Sequence, residues 1–98
     1  LKDALDAQGR ALDRALEDRL ISIGDYYAAK TALETREIDA EIARLQGLLA
    51  EQRRLSTAGK DEGGRLRARG EVAKLEADLI VLNNKRGDVE VANARKAL

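Results

Sequence analysis

The sequence predicts an all-α fold, in which long helices form an antiparallel helical hairpin or coiled coil with a shorter N-terminal helix. Three observations predict this fold. Residues that favour helices dominate the composition, and proline is absent from all 98 positions. Leu, Ile and Val recur at helical spacing although 37% of the residues are charged. A glycine-rich polar stretch separates two long helical segments, as in a helical hairpin.

The first helix is expected over residues 1–20, because leucines recur on one of its sides at positions 5, 12, 16 and 20. Ser22 is then the predicted N-cap of the second helix. Asp25 follows three residues later, in the manner of a capping box in which Asp replaces Glu. We therefore expect the chain to bend between the first two helices.

The second and third helices are predicted over residues 23–55 and 65–97. Their apolar residues follow the alternating four- and three-residue spacing of a coiled-coil seam. Polar residues at 83–88 interrupt the third helix, and a helix that ends near Asn84 is the alternative there. Because the apolar stripes are narrow, we expect them to be completed by a second helix or a second chain, and a homo-oligomer is predicted. The helix-packing seam consists of Ile38, Ile42, Leu45, Leu49, Val72, Leu75, Leu79 and Leu82.

The glycine-rich turn is predicted over residues 56–64, which hold three of the eight glycines. We expect Gly59 to adopt the left-handed conformation that ends a helix. Asp61 or a neighbour is expected to cap the helix that follows. The whole chain, residues 1–98, is interpreted as a single helical fragment of a longer helical protein. It shows neither a signal peptide nor a membrane span.

The composition excludes several kinds of site. Without Cys or His the chain offers no disulfide, no thiolate and no usual zinc or di-iron site. Its 18 carboxylates alternate with Arg and Lys, which is typical of a solvated helix surface. The glycines do not match a phosphate-binding loop. We therefore predict no catalytic residue, no metal, no cofactor and no small-molecule substrate.

A basic cluster surrounds the predicted turn. Residues 53–69 hold six cations against Asp61 and Glu62, a local net charge of +4, although the whole chain has a net charge of zero. A solvated tip, a phosphate contact and an acidic protein partner are the three interpretations. Overall neutrality and the lack of aromatic residues in the cluster disfavour a nucleic acid. The candidate interaction tip consists of Arg53, Arg54, Lys60, Arg65 and Arg67.

Residues 17–45 carry a family resemblance. A helix is followed by the turn Ile21-Ser22-Ile23-Gly24-Asp25, the pair Tyr26-Tyr27 and the run Ile38-Asp39-Ala40-Glu41-Ile42. This pattern resembles a segment of the tail tape-measure proteins of long-tailed phages and prophages. The resemblance covers about a third of the chain, and the glycine-rich turn departs from a simple extended ruler.

The resemblance implies a long helical protein that occupies the tail lumen and sets tail length. It implies tail-tube subunits and assembly proteins as partners, and a location in the virion tail or, during assembly, in the bacterial cytoplasm. No catalytic residue of that family maps onto this chain. The predicted function is therefore structural. The alternative is a helical-hairpin adaptor that docks on a partner through its basic tip, and an enzyme is the least favoured interpretation.

Overall fold

The computed structural model describes residues 1–98 and consists of three α-helices: α1, Lys2–Glu17; α2, Ile23–Ala58; and α3, Glu62–Ala97. The predicted all-α hairpin with a shorter N-terminal helix is confirmed. Contacts divide the chain into two compact units. Unit 1 comprises residues 1–39 and 85–98, and unit 2 comprises residues 40–84.

Helix α1 ends three residues earlier than predicted. Arg19 adopts the left-handed conformation, with φ 58°. The Leu20 amide donates to the Ala15 carbonyl at 2.8 Å, and the Arg19 amide donates to the Leu16 carbonyl at 3.0 Å. These two bonds form a Schellman motif, which satisfies the last carbonyls of the helix. The motif releases Leu20 from the leucine stripe and leaves it 75% exposed.

Helix α2 begins at a side-chain cap. The Asp25 amide donates to the Ser22 Oγ at 3.1 Å, so Ser22 is the N-cap residue and Asp25 lies in the first turn. The negative charge of Asp25 is favourable at this end of the helix dipole.

The turn between α2 and α3 is shorter than predicted and contains only residues 59–61. The prediction that Gly59 is left-handed is wrong, since no glycine has a positive φ. Gly59 is required for a different reason: a Cβ atom there would lie 2.6 Å from the Leu55 carbonyl oxygen. Asp61 lets α3 begin at Glu62, because its carboxylate accepts from the Gly63 and Gly64 amides at 3.3 and 3.2 Å.

Unit 2 is an antiparallel helical hairpin. Leu45, Leu49 and Leu75 form its buried cluster, and three partly buried residues pack against them: Val72, Leu79 and Leu82. The stripes of both helices meet in one layer between them.

Unit 1 combines α1 with the start of α2 and the end of α3. Its buried apolar residues are Leu5, Tyr26 and Ile38. Helix α3 runs unbroken from 84 to 87, where the alternative placed its end. Within unit 1, Asp39 accepts from Arg86 at 2.8 Å and Thr31 accepts from Asn93 at 3.0 Å. These segments of α2 and α3 are therefore antiparallel.

Candidate functional site

The predicted seam is the largest set of candidate residues. All eight of its members are buried or half-buried. Seven belong to unit 2, and Ile38 belongs to unit 1. The structure thus brings the seam residues of α2 and α3 together in unit 2, where they fill the space between the two helices. In this arrangement they serve packing within one chain.

The same four- and three-residue spacing continues over polar residues in unit 1, which the predicted seam does not include. Thr31 and Thr35 precede Ile38 at four- and three-residue steps, while Arg86 and Asn93 follow Leu82 in the same phase. Asn93 is only 4% exposed, and its side-chain amide donates to the Thr31 hydroxyl. The signal was the unbroken spacing, which an apolar-only search overlooks.

The threonine hydroxyls complete this polar network in unit 1. Thr31 donates to the Tyr27 carbonyl at 2.8 Å, and Thr35 donates to the Thr31 carbonyl at 2.8 Å. No buried side-chain polar atom in the protein lacks a hydrogen-bond partner. A satisfied buried amide favours one register of two paired helices over others, because displacement would leave it unpaired.

Three of the predicted tip cations are bound within the chain. Arg53 pairs with Glu76 of α3 at 3.1 Å, and Arg54 pairs with Glu51 at 2.6 Å. The Arg54 guanidinium lowers the pKa of Glu51 by hydrogen bonding and by its charge. Arg65 donates to the Gly59 carbonyl at 2.8 Å and so fastens the turn.

The remaining tip cations are more exposed. The Arg67 side chain is 79% exposed and lies 3.9 Å from the Asp61 carboxylate. Lys60 forms no ion pair, and neither does Arg69, which belongs to the basic cluster but not to the tip. Because the Asp61 carboxylate accepts from the Gly63 and Gly64 amides at the N-terminus of α3, these two amides are not available to an external phosphate. The tip can therefore offer the side-chain charge of Lys60 and Arg67 to an acidic partner.

A groove of about 340 Å³ lies between α1 and α2 in unit 1. Its buried titratable group is Tyr26, whose hydroxyl donates to Asp13 at 2.5 Å. This bond, followed by burial, raises the pKa of Tyr26 to about 12. At neutral pH the hydroxyl therefore stays protonated and acts as a hydrogen-bond donor between the two helices.

The two tyrosines lie against each other at the start of α2. Their ring centroids are 4.9 Å apart in an edge-to-face arrangement, and the Lys30 ammonium lies 5.7 Å from the Tyr26 centroid and 5.9 Å from that of Tyr27. Such contacts are favourable because the ring faces carry negative partial charge. These contacts therefore stabilise the first turns of α2.

No group of three or more acidic side chains in the protein is placed to hold a metal ion. Each of the three helices is too short or too polar to cross a bilayer. No protein-family model, curated protein or solved structure matches the chain.

Proposed function

We propose that the chain is a structural coiled-coil segment of a phage or prophage tail tape-measure-like protein, acting in tail assembly and tail-length determination. The observation that carries the structural part is the packing of α2 against α3 through an apolar layer in unit 2. Helices paired in this way leave their outer surfaces available to other helices. The tail assignment rests on the resemblance of residues 17–45.

The folded turn supports the comparison with that family. Ser22 caps α2, and Tyr26 reaches back to Asp13 on α1. The Ser-containing turn and the first tyrosine, which carry the resemblance, therefore join two helices in this chain. The resemblance rests on a helix, a short Ser-containing turn, an acidic residue and a tyrosine pair that precede a second long helix.

Tail length tests the ruler function. A duplication of residues 1–98 within the parent chain should lengthen the tail, which electron microscopy measures. A fully extended helix of 98 residues would add roughly 150 Å, whereas a retained hairpin would add roughly the 54 Å of one 36-residue helix. An unchanged length would contradict the proposal. An unrelated helical segment of the same length in place of the second copy should also lengthen the tail, because a ruler is read by its length.

A hairpin adaptor is the second candidate, and the exposed charge of the tip supports it. Lys60 and Arg67 are the cations to reverse, because neither holds the hairpin together as Arg53 and Arg65 do. Changing both to Glu should abolish binding of a partner that docks at the tip. Reversal of two exposed arginines in unit 1, Arg36 and Arg95, is the control, and unaffected binding in the tip variant would exclude this function.

A further inference from the structure

Helix α3 carries a second apolar face, on the side opposite its seam. Its residues keep the four- and three-residue spacing throughout unit 2, and every one of them is exposed. Leu66 is 57% exposed and Ile80 is 62% exposed. The rear face of α3 consists of Leu66, Gly70, Ala73, Ala77 and Ile80.

Side-chain size follows a regular pattern along this face. Large residues stand at the two ends, Leu66 and Ile80, and the three positions between them are Gly or Ala. At Gly70 even an added Cβ atom would meet nothing within 4 Å. Small central residues allow two helix backbones to approach closely, so that a neighbouring helix would bury both large ends.

This pattern of large and small side chains is symmetric about Ala73. If two α3 helices cross antiparallel with Ala73 at the two-fold axis, Leu66 of one copy meets Ile80 of the other, and Gly70 meets Ala77. A surface that is complementary to itself in this way fits an isologous dimer, in which one patch serves both subunits. A different helical partner would not need this symmetry.

The charges beside the face agree with this register along one edge. Arg69 precedes Gly70 and Glu76 precedes Ala77, so the antiparallel pairing places Arg69 of each copy near Glu76 of the other. Arg69 forms no ion pair within the chain, and Glu76 pairs through one carboxylate oxygen with Arg53. The other edge brings two copies of Lys74 near the axis, which limits the affinity.

We propose that the rear face of α3 is a homodimer interface, in which two copies of this chain pair antiparallel about Ala73. This interface is separate from the seam, which is buried within each chain, and it does not depend on the tail assignment. Dimerisation buries Leu66 and Ile80 of both copies and forms two intermolecular Arg69–Glu76 ion pairs.

Disulfide trapping tests the register, and the chain is suited to it because it contains no native cysteine. A73C should form a cross-linked dimer under mild oxidation, because the two positions meet at the axis. In a mixture of L66C and I80C, the L66C–I80C disulfide should exceed both self-linked products. Preferential L66C–L66C linkage would indicate parallel pairing and overturn the proposal.

The control variant is A43C, which lies on the exposed side of α2 in the same unit. On its own, A43C should remain uncross-linked. In a mixture of A43C and A73C, a disulfide between the two would show that α2 is the partner of the rear face, and this result would overturn the symmetric dimer. Light scattering of the unmodified chain should give twice 10.7 kDa at high concentration. A mass of 10.7 kDa throughout the soluble range would also overturn the proposal.

Charge exchange provides an independent measurement. R69E should weaken the dimer, because the introduced glutamate of each copy then faces Glu76 of the other copy and the two negative charges repel. The double variant R69E/E76R should restore dimerisation, since the pair is then reversed but still complementary. Circular dichroism of each variant checks that the helices remain, and a double variant as weak as R69E despite intact helicity would contradict the register.

Discussion

At the scale of single residues, Arg19 is the one non-glycine residue with a positive φ. A left-handed conformation costs an L-residue with a Cβ atom roughly 1 kcal/mol, and the two Schellman bonds of the α1 terminus offset it. The side chain itself forms no ion pair and is exposed. The cost is therefore a property of the backbone at this position.

Replacing Arg19 by Gly should stabilise the protein by about 0.5–1 kcal/mol, because glycine adopts this conformation without steric cost. Urea denaturation followed by circular dichroism measures the change. Arg14→Gly inside α1 is the control, and it should destabilise by about 1 kcal/mol. A destabilising effect of Arg19→Gly would show that the arginine side chain makes a contribution of its own.

The pH dependence of the junction is predicted by Tyr26. Its pKa is raised to about 12 in the folded protein, from about 10 in the unfolded chain. The neutral hydroxyl therefore contributes its full stability below about pH 10, and that contribution is lost as the pH rises toward 12.

Absorbance titration of tyrosinate in a Tyr27→Phe background reports Tyr26 alone. Asp13→Asn should move the midpoint down toward about 10, because it removes the acceptor charge that holds the proton. Asp6 lines the same groove without bonding to Tyr26, so Asp6→Asn should leave the midpoint unchanged. Equal midpoints in the Asp13→Asn variant and its parent would contradict this origin of the shift.

At the scale of the elements, the turn of residues 59–61 depends on the missing side chain of Gly59. Gly59→Ala should destabilise by more than 1 kcal/mol, because a Cβ atom 2.6 Å from the Leu55 oxygen forces the backbone to move. Gly47 lies in open space on α2, so Gly47→Ala should instead stabilise by up to about 1 kcal/mol. Thermal unfolding of both variants gives the comparison, and equal effects would refute the steric argument.

The sequence was sufficient to predict the helices and their apolar seam, because both follow from spacing and from the absence of proline. It was insufficient for the ends of the helices. Local polarity at positions 56–64 suggested a long loop, whereas one carboxylate, Asp61, satisfies the amides of a glycine pair and extends α3 over it. The stop after Glu17 was equally hidden, because arginine rarely takes the left-handed position that Arg19 adopts.

The candidate site residues were likewise only partly predictable from the sequence. Spacing located the apolar seam and continues over the polar residues of unit 1, but it does not show that these polar side chains are buried. Asn93 is tolerated in a buried position only because Thr31 lies 3.0 Å away. The positive charges of the basic tip can be counted in the sequence. The ion pair of Arg53 with Glu76 cannot be read from it, because the two residues are 23 positions apart and only the hairpin brings them together.

At the scale of the whole molecule, the two units differ in what fills the space between α2 and α3. Unit 2 places leucines there, whereas unit 1 places threonine and asparagine beside Ile38. No side chain in the protein is less than 2% exposed, so neither unit has a deep core. Local stability should therefore follow the amount of apolar burial between the helices.

Hydrogen exchange should find the slowest amides of α2 and α3 around Leu45, Leu49 and Leu75 in unit 2. The amides around Thr31 and Asn93 in unit 1 should exchange faster, because opening there exposes less apolar surface. Mass spectrometry of peptic fragments resolves the two regions. Equal protection would indicate that both units open only together, in a single global unfolding.

The polar layer between Thr31 and Asn93 has a consequence for temperature. Burial of leucine stabilises a protein less as water is cooled, because the hydrophobic driving force near room temperature is entropic. Hydrogen bonds between an amide and a hydroxyl do not share that dependence. The difference in local stability between unit 2 and unit 1 should accordingly become smaller near the freezing point and larger on gentle warming.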